Sequence, residues 1–169
     1  FSVLHMHSKE IVSLITDISG NIYFSDEDGV YRLYSTKSRD SEKVLDGRYF
    51  LQDITSDSGK ILALSHERSS DNNMWLIDLA AGQSEKLSFL PGDYREPRFR
   101  GDNSFSYLEK DSLKFRELSA SQTVDVLSDL SGYWSTPEHQ IFFGYKKDSE
   151  GIVFATLQSK MARDFELSL

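Results

Sequence analysis

The 169-residue sequence has no cysteine, only three prolines and six alanines, and it carries 19 Lys+Arg against 27 Asp+Glu, a formal charge of −8. Each shortage removes a class of protein. Without cysteine there is no disulfide framework, no thiolate nucleophile and no Cys-ligated zinc. The deficit of cations argues against a nucleic-acid surface, because counterion release needs clustered Lys and Arg. Apolar runs stop at four residues, as at 61–64 and 74–77, whereas a membrane-spanning helix needs about 20. Six alanines beside 26 serines leave few windows of helical character. What is abundant is aromatic: 11 Phe, 8 Tyr and 2 Trp, mostly in short runs bounded by Gly, Asp, Asn and Ser. Strong β-formers in runs of four to eight, separated by turn formers, predict an all-β chain.

The runs repeat. One unit is an apolar strand ending in Leu or a near equivalent, a polar stretch, and a shorter strand ending in Leu, best seen as Met74-Trp-Leu-Ile-Asp-Leu79 followed by Glu85-Lys-Leu87. Four further copies span 1–14, 30–45, 113–127 and 152–167. Between them lies a second element, a short strand, a tight turn and an aromatic-rich strand. It occupies 15–25 through Ser19-Gly20-Asn21, 50–65 through Asp57-Ser58-Gly59-Lys60, 95–108 through Gly101-Asp102-Asn103 and 133–145 through residues 137–140. Gly and Asn at such turns supply the positive φ that a tight hairpin requires. Each full unit is therefore four antiparallel strands. The third strands start at Val30, Met74, Leu113 and Ile152, which are 44, 39 and 39 residues apart. A four-stranded period of about 40–45 residues is that of a β-propeller blade.

The segment Asp53-Ile-Thr-Ser-Asp-Ser-Gly-Lys-Ile-Leu-Ala-Leu64, followed by Asn73-Met-Trp-Leu-Ile-Asp-Leu-Ala-Ala-Gly-Gln-Ser-Glu-Lys-Leu87, closely resembles the TolB-like, WD-like propeller repeat. In that repeat a Ser-Pro-Asp-Gly-Lys turn precedes an apolar strand, and an Ile-Tyr-x-x-Asp-Leu-x-x-Gly strand leads to a closing Leu-Thr. Glu96-Pro-Arg-Phe99, Asn21-Ile-Tyr-Phe-Ser25 and Gly29-Val-Tyr-Arg-Leu33 fit the same scheme. The turn proline is missing, with Ser58 in its place, and Pro137-Glu138-His139-Gln140 replaces the last Gly turn. The resemblance implies a single propeller domain of about four and a half blades: a half-blade at 1–14, then 15–46, 47–89, 90–129 and 130–169. Because the chain opens inside a blade and without Met, a partial ring is expected. It would be completed by the remainder of a larger propeller or by another copy in a homo-oligomer.

Chemistry-bearing residues are sparse. His5 and His7 share a strand face but lack a third ligand, His66 and His139 are isolated, and no metal or cofactor is expected. Asp26-Glu27-Asp28-Gly29 lacks the twelve-residue calcium-loop pattern and is expected to be a turn with its corner at Asp28-Gly29. No nucleophile elbow or phosphate loop is present. Asp53 and Glu96, on neighbouring first strands, would be the carboxylates to consider for glycoside hydrolysis. In the resembled family such acids more often cap turns, so no catalytic residue is assigned and a non-enzymatic domain is expected.

The cluster Tyr94-Arg95-Glu96-Pro97-Arg98-Phe99-Arg100 stands out in an acidic chain. Strict alternation places Glu96, Arg98 and Arg100 on one face and Phe99 on the other. Arg95, Arg98 and Arg100 are the candidate ligands for a carboxylate or phosphate, with Tyr133 and Trp134 in the next blade supplying aromatic contact area. Ion pairing between blades and blade-to-blade packing are the alternatives for the arginines and the aromatics respectively. The expected function is that of a binding or sensing domain for a protein or a small acidic ligand. The TolB-like resemblance implies the C-terminal, periplasmic or extracytoplasmic part of a membrane-anchored ToxR/CadC-like regulator, the cytoplasm remaining open. A TolB-like periplasmic scaffold, or part of a prolyl-oligopeptidase-type hydrolase, is the alternative.

Overall fold

The computed structural model describes residues 9–34, 41–66, 71–120, 122–136, 141–146 and 151–156, with His66, Thr136 and Thr156 described by backbone alone. These residues form strands and turns, and the expected all-β architecture is what the chain adopts. The strands are β1 (Ser13–Thr16), β2 (Ile22–Ser25), β3 (Gly29–Leu33), β4 (Ser41–Asp46), β5 (Phe50–Ile54), β6 (Lys60–His66), β7 (Asn72–Asp78), β8 (Gln83–Lys86), β9 (Tyr94–Phe99), β10 (Ser104–Glu109), β11 (Ser112–Glu117), β12 (Thr123–Leu127), β13 (Leu130–Thr136), β14 (Ile141–Lys146) and β15 (Ile152–Thr156). They pair antiparallel into four sheets of consecutive strands, β1–β4, β5–β8, β9–β12 and β13–β15. Such sheets are propeller blades, and the chain is part of a β-propeller. Leu14 lies within β1, opposite Phe24.

Two compact units result, Phe1–Gly92 and Asp93–Leu169, each containing two sheets. The first unit has a core of Tyr23 and Val30 from one sheet against Leu51, Ile61, Ala63 and Ile77 from the next, closed by Tyr49. The second packs Leu108, Leu113 and Leu127 against Leu130, Tyr133, Phe142, Val153 and Ala155. In each case alternation along the strands puts every second side chain on the face that meets the neighbouring sheet.

The turns show how local chemistry closes the hairpins. After β1, Asp17 accepts hydrogen bonds from the backbone N–H groups of Ser19 and Asn21, both at 2.9 Å, and from Asn21 Nδ2 at 2.8 Å. Gly20 there has φ +82°, as the turn requires. After β5, Thr55 Oγ1 accepts from Lys60 N at 3.0 Å and donates to Asp57 Oδ1 at 2.6 Å, while Asp57 Oδ1 accepts from Gly59 N at 2.9 Å. The positive φ expected at Gly59 falls instead on Ser58, at +58°. A proline, locked near −65°, cannot occupy that position. In the acidic turn, buried Asp26 accepts from the N–H groups of Asp28 and Gly29 at 2.7 and 2.9 Å. Among the described residues no group of three or more His, Asp or Glu is placed to hold a metal ion. His5, His7 and His139 lie outside the described residues, and so does the 137–140 turn.

Candidate ligand-binding site

β9 carries Arg95 and Arg98, with Arg100 directly after it, and its backbone departs from strict alternation. Arg98 pairs with Ser106 and Arg95 with Leu108, so Glu96 and Pro97 together oppose the single residue Tyr107. This is a β-bulge, and Glu96 sits at φ +52°. Pro97 has no N–H to give the ladder, which accounts for the interruption at this point. The bulge changes the face assignment: Glu96 loses its expected parity with Arg98, and Arg95 gains it.

The three guanidinium groups meet different fates. Arg95 reaches the β10–β11 turn of its own sheet, where Nη2 donates to the Lys110 carbonyl and lies 3.4 Å from Asp111 Oδ1, and Nε lies 3.5 Å from Asp93 Oδ1. Arg100, just past the end of β9, turns inward. Its Nε donates to Ser106 Oγ at 2.8 Å, and its guanidinium carbon stands 5.9 Å from the Tyr133 ring and 5.6 Å from the Phe142 ring. Contact with the next sheet is therefore made over aromatic faces rather than through an ion pair. Arg98 is exposed.

Tyr133 is buried at 8% exposure, and Trp134, on the opposite side of β13, remains 39% exposed. The Tyr133 hydroxyl lies 2.8 Å from the Glu96 carbonyl and 2.9 Å from that of Ser106, and it accepts from Ser106 Oγ at 3.0 Å. The donors line up in one direction: Arg100 N–H to Ser106 hydroxyl to Tyr133 hydroxyl to backbone carbonyl. Burial pushes the Tyr133 phenol pKa up, the Ser106 hydrogen bond and the positive charges of Arg100 and Arg98 opposing it. Trp134 stacks on Phe143 at 4.9 Å with an interplanar angle of 11°, and Tyr145 lies 4.9 Å from it at 41°. Phe154 continues the row 6.3 Å beyond Phe143. Ser106 was not singled out from the sequence, although a fully buried Ser inside Phe105-Ser106-Tyr107-Leu108 signals a polar partner across the core.

Of the residues nominated from the sequence, Arg100 and Tyr133 are brought together through Ser106. Arg95 is held at the β10–β11 turn of its own sheet, and Arg98 and Trp134 present surface. Asp53 is on β5 and Glu96 on β9, one in each unit.

No protein-family model matches the chain. No curated protein matches it by sequence either. Solved structures do. An oligogalacturonate lyase from Vibrio parahaemolyticus is similar over 95% of this chain and 54% of its own, with a TM-score of 0.66 at 10% identity. TolB from Acinetobacter baumannii is similar over 90% and 42%, with a TM-score of 0.67 at 11% identity. The β-propeller domain of the Trilobed protease from Pyrococcus furiosus is similar over 94% and 57%, with a TM-score of 0.60 at 9% identity. The chain thus spans about half the length of the solved structures it matches. The expectation of a non-enzymatic domain is corrected by the first of these, since an enzyme is built on the same arrangement of blades; the fold does not separate catalysts from binders. At these identities what is shared is the fold: this chain is similar to TolB and to oligogalacturonate lyase as a β-propeller.

Proposed function

We propose that this chain is a propeller binding domain that takes an acidic ligand through the guanidinium of Arg98, with the exposed Trp134 indole of the next sheet as an aromatic contact surface. One observation carries the reading: Arg98, on β9, presents its side chain to solvent. A guanidinium binds a carboxylate in a bidentate fork, and an indole stacks on an apolar ligand face. An acidic sugar offers both groups, and the oligogalacturonate named for one structural neighbour is of that kind.

Titration calorimetry with galacturonate oligomers, and in parallel with an acidic peptide, tests this. Binding is expected to vanish in Arg98→Ala and to weaken in Trp134→Ala, with thermal stability unchanged in the first. Unchanged binding in Arg98→Ala removes the site, and a large loss of stability would assign Arg98 to internal packing.

The TolB-like repeats support a setting for this domain as the extracytoplasmic sensory part of a bacterial membrane-anchored transcriptional regulator. The genomic sequence upstream of Phe1 decides it. A winged-helix pattern followed by one apolar stretch of about 20 residues is the expected result, whereas a signal peptide alone would make the domain a TolB-like scaffold.

A further inference from the structure

Alternating strand directions bring several segments out at one end of the first unit: residues 9–12 before β1, the Asp26–Gly29 turn, the Gly47–Tyr49 link and the loop 88–92. The contact of Gly47 N with the Asp28 carbonyl at 2.9 Å ties two of them together. The loop 88–92 presents Phe89 at 94% exposure and Leu90 at 62%. It is nevertheless pinned at both ends. Gly92 and Asn72 exchange backbone hydrogen bonds of 2.8 and 2.9 Å. At the other end Ser88 Oγ accepts from Met74 N at 3.1 Å and donates to Asn73 Oδ1 at 3.2 Å, with Ser88 and Asn73 buried. Two large apolar side chains held out on an anchored loop form a preorganised contact, whose ordering cost is met before any partner arrives.

The same end holds a cleft of about 310 Å³ lined by Lys9, Glu10, Val12, Glu27 and Arg48. Lys9 pairs with Glu27 at 3.2 Å and with Asp28. The Arg48 guanidinium carbon stands 5.8 Å from the Phe50 ring, so this arginine already meets an aromatic face. The cleft is at the small end of the range for ligand sites, suited to one aromatic side chain. This end also mixes signs, Lys9 and Arg48 beside Glu10, Glu27 and Asp28, so that it can face itself without the repulsion that the overall −8 would impose on a single-sign surface. An anionic bilayer would be repelled by that same charge.

We propose that this end of the first unit is a self-association surface, in which Phe89 of one copy enters the Val12–Arg48 cleft of a second copy and receives the second copy's Phe89 in return. A two-fold contact requires knob and hole on one face of the molecule, and both lie at this end. Sedimentation over the micromolar range is expected to show a monomer–dimer equilibrium that Phe89→Ser weakens by about thirtyfold, the loss typical of a central aromatic anchor. Phe89 is exposed, so folding of the variant is not at stake. The absence of cysteine permits a direct check: Phe89→Cys chains mixed with Val12→Cys chains should form the mixed disulfide under mild oxidation. A clean monomer, a dimer indifferent to Phe89→Ser, or failure of the 12–89 cross-link each overturns the proposal. So does Phe89-dependent binding to phosphatidylcholine vesicles by a monomer, which would assign the loop to lipid.

Discussion

Each unit joins its two sheets by a chain of hydrogen bonds that runs in one direction through two hydroxyls to a carbonyl, but the two chains are made of different residues. In the first unit, Leu51 N donates to Ser13 Oγ at 2.8 Å, Ser13 and Ser25 share a hydroxyl contact of 2.6 Å, and Ser25 Oγ donates to the Tyr49 carbonyl at 2.6 Å. The side chains come from β1 and β2, and the partner sheet offers backbone. In the second unit, Arg100, Ser106 and Tyr133 make the chain, and the partner sheet offers a side chain that also fills the core. The contrast continues at the residue that follows each first strand. Asp17 and Thr55 accept N–H groups of their own turns, whereas Arg100 has no acceptor atom and is directed across to Ser106 and the neighbouring rings. The role of closing that turn passes to Ser104, whose hydroxyl donates to the Arg100 carbonyl at 2.5 Å. One architectural need, joining two sheets through buried polar groups, is met by small residues in one place and large ones in the other.

This difference can be broken from either side. The largest effect is expected for Tyr133→Ala, which removes core volume and the relay together and should cost about 3–5 kcal/mol by denaturant unfolding. Trp75 reports on the first unit and Trp134 on the second, so with Trp75→Phe the remaining fluorescence should show the second unit failing first. Ser25→Ala leaves the Tyr49 carbonyl and a half-buried Ser13 hydroxyl short of a partner and should cost about 1–2 kcal/mol, seen by Trp75 in a Trp134→Phe background. Tyr133→Phe, which keeps the ring, belongs in the same range and makes the sharper comparison.

Acid distinguishes the units as well. Burial raises the Asp17 pKa, but the hydrogen bonds from Asn21, Ser58 and Ser19 outweigh it and hold the carboxyl below its ordinary value. With the folded pKa depressed, the unfolded chain binds the proton more readily. Stability from this group is therefore present above the unfolded value of about 3.9 and lost as pH falls through the folded one. The Trp75 midpoint should drop more steeply below about pH 4 than the Trp134 midpoint, and Asp17→Asn should flatten it. The smallest effect on stability is expected at Arg98→Ala, within about 0.5 kcal/mol, against a complete loss of acidic-ligand binding.

The sheets were legible in the sequence because two signals agree, the period-two alternation and the turn residues at a spacing of about 40. The second-unit joint was half legible: Tyr133 and Arg100 were singled out as unusual residues, but as ligand groups or packing. The Ser106 between them was hidden by its ordinariness. The first-unit joint left no trace, since Ser13 and Ser25 are two among 26 serines and a hydroxyl declares no partner. The bulge at Glu96 escaped because alternation counts residues and assumes that each opposes one other. Pro97 was the available clue, a residue that a paired strand interior excludes.

Every sheet is built from strands adjacent in the chain, and this has a consequence for how the protein comes into being. All ladder partners are near neighbours in sequence, so closing each sheet costs little loop entropy. During synthesis the sheets β1–β4 and β5–β8 would be complete once the ribosome has released Gly92, and the first joint can be sealed before β9 has left the exit tunnel. The relay through Tyr133 must wait for a residue made 27 positions after Ser106, leaving Arg100 and this face of β10 uncovered until then.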